Sequence, residues 1–77
     1  MEVNYTEIRE SFTRTSVEML DRCESQLIEA EAGSPFDFTD FLRSIHTIKG
    51  NAGIFELNAL ISLCHGVETR MEALQQA

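Results

Sequence analysis

The stretch Phe38-Thr39-Asp40-Phe41-Leu42-Arg43-Ser44-Ile45-His46-Thr47-Ile48-Lys49-Gly50-Asn51-Ala52-Gly53-Ile54-Phe55 decides the fold. Its apolar residues fall at Phe38, Phe41, Leu42, Ile45, Ile48, Ala52 and Phe55, an i, i+3, i+4, i+7 stripe kept over nearly three heptads. That period marks one buried face of an α-helix and conflicts with the two-residue alternation of a half-buried strand. It predicts a helix over about 36–54. Upstream, Ile8, Phe12, Met19, Leu20, Cys23, Leu27 and Ala30 trace one face of a longer helix, near 6–32. Gly33-Ser34-Pro35 separates the two: glycine suits a left-handed cap, serine the next N-cap and proline a first helical position. Asp37 and Asp40 then lie at the positive end of the second helix dipole. Downstream, a break from Gly53 to Asn58, with Asn58 as N-cap, leads into a third stripe at Leu60, Ile61, Cys64, Val67, Met71 and Leu74, a helix over about 58–76. No segment reads as a strand. Connections this short make successive helices antiparallel neighbours, so the expected architecture is an all-α, up-down helical bundle.

Seventy-seven residues give room for one core, hence one domain over 1–77. With 43% hydrophobic residues, one proline and four glycines, the chain is too apolar and too patterned for disorder. A formal charge of −7 argues against nucleic-acid phosphates and anionic membrane surfaces, which call for basic patches, and in favour of protein partners. No apolar run approaches the roughly 20 residues of a membrane span, and Met1 to Glu10 lacks the basic start and apolar stretch of a signal peptide. The expected compartment is the cytoplasm. Cys23 and Cys64 both fall on apolar helix positions and read as buried, reduced thiols.

Residues that break the helical rules point to chemistry. Gly50 and Gly53 lie i+4 and i+7 from His46, beside the apolar stripe, and each costs the helix up to about 1 kcal/mol relative to alanine. Small residues there leave the imidazole of His46 open to a bulky partner, although Gly53 also reads as a helix end. If the turn after the second helix is centred near Leu57, residues equally far on either side of it share a height: His46 faces Glu68 and Lys49 faces His65. All four fall on the shoulders of their stripes, about 80 to 120° from the core direction, and are expected to form one surface cluster. A carboxylate that accepts one ring N–H fixes the tautomer and makes the other nitrogen more nucleophilic, the part suited to Glu68. A phosphoryl group on that nitrogen needs a cation, and Lys49 is one turn away; His65 adds a hydrogen bond. Arg43 and Lys49 also suit an acidic pocket on a partner.

The run His46-Thr47-Ile48-Lys49-Gly50-Asn51-Ala52 resembles the phosphoacceptor motif of histidine phosphotransfer (Hpt) domains, H-x-[IL]-K-G-x-[AS]. His65-Gly66-Val67-Glu68 resembles the H-x-x-E of the N-terminal phosphoacceptor domain of chemotaxis-type histidine kinases. The resemblance implies a four-helix bundle with His46 as the acceptor, Lys49 stabilising the phosphoryl group, Gly50 leaving access, Glu68 bonding the imidazole and His65 in support. It implies phosphorylation by a histidine kinase catalytic domain, with ATP and Mg²⁺ on that partner and no intrinsic cofactor, and transfer to the receiver domain of a response regulator. The chain is then a phosphocarrier acted on by others rather than an enzyme. Two departures stand out: Asn51 and Glu56 replace frequent glycines, and only three helices are present, with no stop signal at Gln75-Gln76-Ala77. The fourth wall is expected from another segment of a longer kinase or from a second copy in a homodimer, with a marginally stable monomer as the other outcome. Two rival readings use the same residues: a helical module of structural or regulatory role without phosphotransfer, and a metal-binding bundle built on His46, His65 and Glu68. Lys49 weighs against the second by placing positive charge beside the cation.

Overall fold

A computed structural model describes residues 4–77; the first three residues of the Met1–Glu10 segment lie outside it. The described chain is three helices, α1 (Tyr5–Glu31), α2 (Phe38–Ile54) and α3 (Asn58–Gln76), with no strand among the described residues. They form the expected all-helical bundle. α2 is the central element and packs against both neighbours, while the backbones of α1 and α3 do not approach each other. The shape is a rod of 49 × 20 × 17 Å, since the 27 residues of α1 run about 40 Å and overhang its partners.

The core follows the α2 stripe. Phe41, Ile45 and Ile48 are buried with Cys23 of α1 and Cys64 of α3, and Met19, Phe36, Leu60, Val67 and Met71 close around them. Both cysteines are free thiols, as expected, and burial raises the pKa of each. On α1 the covered face is narrower than its apolar stripe: Phe12, Ser16, Met19 and Cys23 turn inward, whereas Ile8, Leu20 and Leu27 are exposed. Val17, Leu20 and Leu27 of α1 and Leu63 and Leu74 of α3 remain open to solvent, so three helices leave a flank uncovered. One polar clasp fixes α1 on α2: Asp40 Oδ2 accepts from Arg22 Nε at 3.0 Å and from Gln26 Nε2 at 2.7 Å, and Nη2 of the Arg22 guanidinium lies 2.9 Å from the same oxygen.

The helix ends correct several expectations, among them Pro35, which lies before α2 instead of at its first position. Ser34 does not cap α2; its N–H is used to close α1, bonding Glu29 O at 3.0 Å while Gly33 N–H bonds Ala30 O at 3.0 Å, with Gly33 left-handed at φ +100°. Phe36 then tucks against the rings of Phe38 and Phe41, and α2 begins at Phe38, not 36, with Asp37 Oδ1 accepting the Asp40 N–H at 3.0 Å. Asn58 is likewise the first residue of α3 rather than its cap; Leu57 takes the cap position with no side-chain bond. The same closure as in α1 ends α2. Leu57 N–H bonds Ala52 O at 3.0 Å and Glu56 N–H bonds Gly53 O at 3.2 Å, which drives Glu56 to φ 54°. Gly53 stays helical; the left-handed residue is Glu56.

A side chain in that region costs roughly 1 to 2 kcal/mol, part of which glycine gives back through its looser unfolded chain. Glu56→Gly is therefore expected to stabilise the fold by about 0.5 to 1 kcal/mol, a rise in Tm of roughly 3 to 6 °C. A melt followed by circular dichroism checks it, and an unchanged or lower Tm refutes the strain.

Candidate functional site

His46 sits on the outer face of α2, because the buried residues Ile45 and Ile48 point its neighbours inward and the 100° step per residue turns position 46 away. Its side chain is 72% exposed. α3 returns antiparallel after the Leu57 turn, and Cys64 in the core places Glu68, one turn on, at the α2 seam. The count from Leu57 holds: His46 Nδ1 lies 3.5 Å from Glu68 Oε2, slightly beyond ordinary hydrogen-bond length. Contacts of this kind are often long before a substrate arrives.

Lys49 departs from the expected arrangement. Its ammonium does not pair with the level His65 but lies 2.6 Å from Glu68 Oε1, so one carboxylate serves both basic groups. The attraction of opposite charges outweighs the small offset along the helix. His65 is exposed, and among the described residues its side chain joins no ion pair; only its backbone carbonyl is used, accepting from Thr69 Oγ1 at 3.0 Å. It stands three residues before Glu68, rotated further toward solvent. The cluster is thus His46, Lys49 and Glu68, without His65.

Glu68 is only 13% exposed and Lys49 26%, so the pair is partly withdrawn from water. Its carboxyl is held below the usual carboxylate range, first by the Lys49 ammonium and secondarily by His46, against the opposing effect of burial. A carboxyl lowered on folding adds stability that is present above its unfolded pKa and fades as pH falls through the folded value. Glu68→Gln is expected to flatten the acid limb of the stability curve below the ordinary carboxylate range. Urea titrations at a series of pH values check this, and a variant curve parallel to wild type would refute the pairing.

Gly50 and Gly53 are exposed, and a Cβ built on either meets nothing within 4 Å. No packing within the chain requires them. The sequence reading did not single out Ile54, which is exposed on the same side of α2 beyond Gly50 and lines a shallow groove with Ile8, Phe12 and Phe55. Its signal was an apolar residue off the core stripe. Among the described residues no three His, Cys, Asp or Glu side chains converge to hold a metal ion, and no helix is long and apolar enough to cross a membrane.

The site is thus an exposed histidine on one helix of a bundle with a carboxylate of the facing helix beside its ring. The Hpt domain family matches residues 7–77, nearly the whole chain, and the chain belongs to that family. It is also similar to the chemotaxis protein CheA of Rhizobium meliloti (strain 1021), 35% identical over 75 residues, which is 95% of this chain and 10% of that protein. With the chemotaxis protein CheA of Cereibacter sphaeroides it shares 38% identity over 58 residues, 75% of this chain and 8% of that protein. The chain therefore spans about a tenth of the length of these curated relatives. No solved structure matches it.

Proposed function

We propose that His46 accepts a phosphoryl group from the catalytic domain of a histidine kinase and passes it to an aspartate in the receiver domain of a response regulator, in a cytoplasmic chemotaxis-type phosphorelay. The observation that carries this reading is the direction of the ring: Nδ1 faces the Glu68 carboxylate, while the side chain as a whole is 72% exposed. Glu68 favours the tautomer with the proton on Nδ1, so the lone pair of Nε2 is available as nucleophile. Nε2 attacks the γ-phosphorus of ATP held with Mg²⁺ by the partner, the bond to the bridging oxygen breaks and ADP leaves. The ring then carries positive charge, which Glu68 offsets. In the second transfer a carboxylate oxygen of the receiver attacks phosphorus, the Nε2–P bond breaks and neutral imidazole returns. Energy and Mg²⁺ chemistry belong to the partners; the chain contributes a positioned nucleophile.

Incubation with a histidine kinase catalytic domain and labelled ATP, followed by a receiver domain, tests the reading. The expected label is acid-labile, sits on His46 and is chased by the receiver. Absence of label overturns it and favours a helical module that has kept the fold without the transfer; label on His65 overturns the assignment of His46 as acceptor.

A further inference from the structure

We propose that Arg43 holds the phosphoryl group carried by Nε2 of His46, while Lys49 remains with Glu68 and serves the orientation of the ring. This rests on His46 being the acceptor. The two nitrogens of an imidazole point in nearly opposite directions, so a group on Nε2 projects away from the carboxylate that faces Nδ1, and hence away from α3. Lys49 lies on the α3 side. Its ammonium is 2.6 Å from Glu68 Oε1, and drawing it off separates a pair whose carboxylate is largely withdrawn from water.

Arg43 occupies the mirror position. It precedes His46 by three residues as Lys49 follows it by three, and the helical step places them about 60° to either side of the histidine, Lys49 toward α3 and Arg43 away from it. Residues three apart have Cβ atoms about 5 to 6 Å from each other, within reach of a guanidinium for a group on the neighbouring ring. Arg43 is exposed and forms no ion pair among the described residues. The acid nearest to it on its own helix, Asp40, is already engaged by Arg22 and Gln26. Thr47, one turn on, uses its hydroxyl on the Arg43 carbonyl at 2.9 Å. The guanidinium is thus uncommitted, and its planar fork matches two phosphoryl oxygens where an ammonium offers a point charge.

The test needs no protein partner. Phosphoramidate transfers its phosphoryl group to imidazole: Nε2 bonds to phosphorus, the phosphoramidate P–N bond breaks and ammonia leaves. The phosphorylated protein is then titrated by ³¹P NMR, in which a cation beside the phosphoryl oxygens lowers their last pKa. Arg43→Gln is expected to raise that pKa by roughly 0.5 to 1 unit, Arg43→Lys to restore part of the shift, and Lys49→Gln to change it less than Arg43→Gln does. Circular dichroism establishes that each variant is folded. A shift in Arg43→Gln no larger than that in Lys49→Gln, or no shift at all, overturns the assignment while leaving His46 as acceptor. Failure of wild type to label on His46 instead removes the acceptor reading, and this proposal with it.

Discussion

His46→Gln is expected to abolish phosphoryl acceptance and to leave the fold intact. Glutamine has no nucleophilic nitrogen of comparable basicity, so the loss is complete rather than graded. The side chain it replaces is 72% exposed and lies outside the core, where substitutions usually change stability by no more than about 0.5 kcal/mol. For a domain of this size that corresponds to a shift in Tm of roughly 2 to 4 °C. Glu68 is not left without a partner, because Lys49 remains at 2.6 Å. Labelling of wild type, His46→Gln and His65→Gln, quenched in alkaline detergent to preserve the acid-labile P–N bond, each with a thermal melt, checks the result. Label on the His46→Gln protein, with loss of label in His65→Gln, would reverse the assignment of the two histidines.

The opposite outcome is expected two residues along. Ile48 is 1% exposed and lies at the centre of the cluster formed with Phe41, Ile45, Cys23 and Cys64. Truncating it to alanine removes three carbons from a site whose neighbours sit on three different helices and cannot all move in, a change that costs about 2 to 5 kcal/mol. Domains of this length hold only about 4 to 12 kcal/mol in total. With a flank of exposed leucines on α1 and α3, this chain has little reserve. Ile48→Ala is expected to lose half or more of its stability and to populate the unfolded state at 37 °C. Urea denaturation followed at 222 nm measures it; a loss below 1 kcal/mol would mean that Ile48 is not the centre of the core.

What could be read from the sequence is what depends on period. The α2 stripe marks the central helix, the α3 limits fall where expected, and counting outward from Leu57 brings His46 to Glu68. Helix starts were harder, since Ser34 and Asn58 are good caps in isolation but chain closure behind α1 and α2 had already used the backbone around them. Lys49 was expected free for a phosphoryl group, but a carboxylate within reach of an ammonium on the facing helix draws it into an ion pair. On α1, periodicity marked Ile8, Leu20 and Leu27 as apolar without saying that one packed neighbour, α2, covers less than the full stripe. The left-handed Glu56 has no signature in its own residue type; only the comparison with the glycine frequent there in chemotaxis-type kinases pointed to it.

Gly50 has a different kind of consequence. Since a Cβ there would touch nothing in the free chain, Gly50→Ala should fit without displacement and add up to about 1 kcal/mol of helix stability. If transfer from a kinase or to a receiver nevertheless slows in that variant, the obstructing atoms belong to the other molecule. A series from glycine through alanine and serine to valine then works as a feeler gauge. Each added atom measures the clearance between the two backbones during transfer, and the size at which the rate collapses gives that clearance without a structure of the complex.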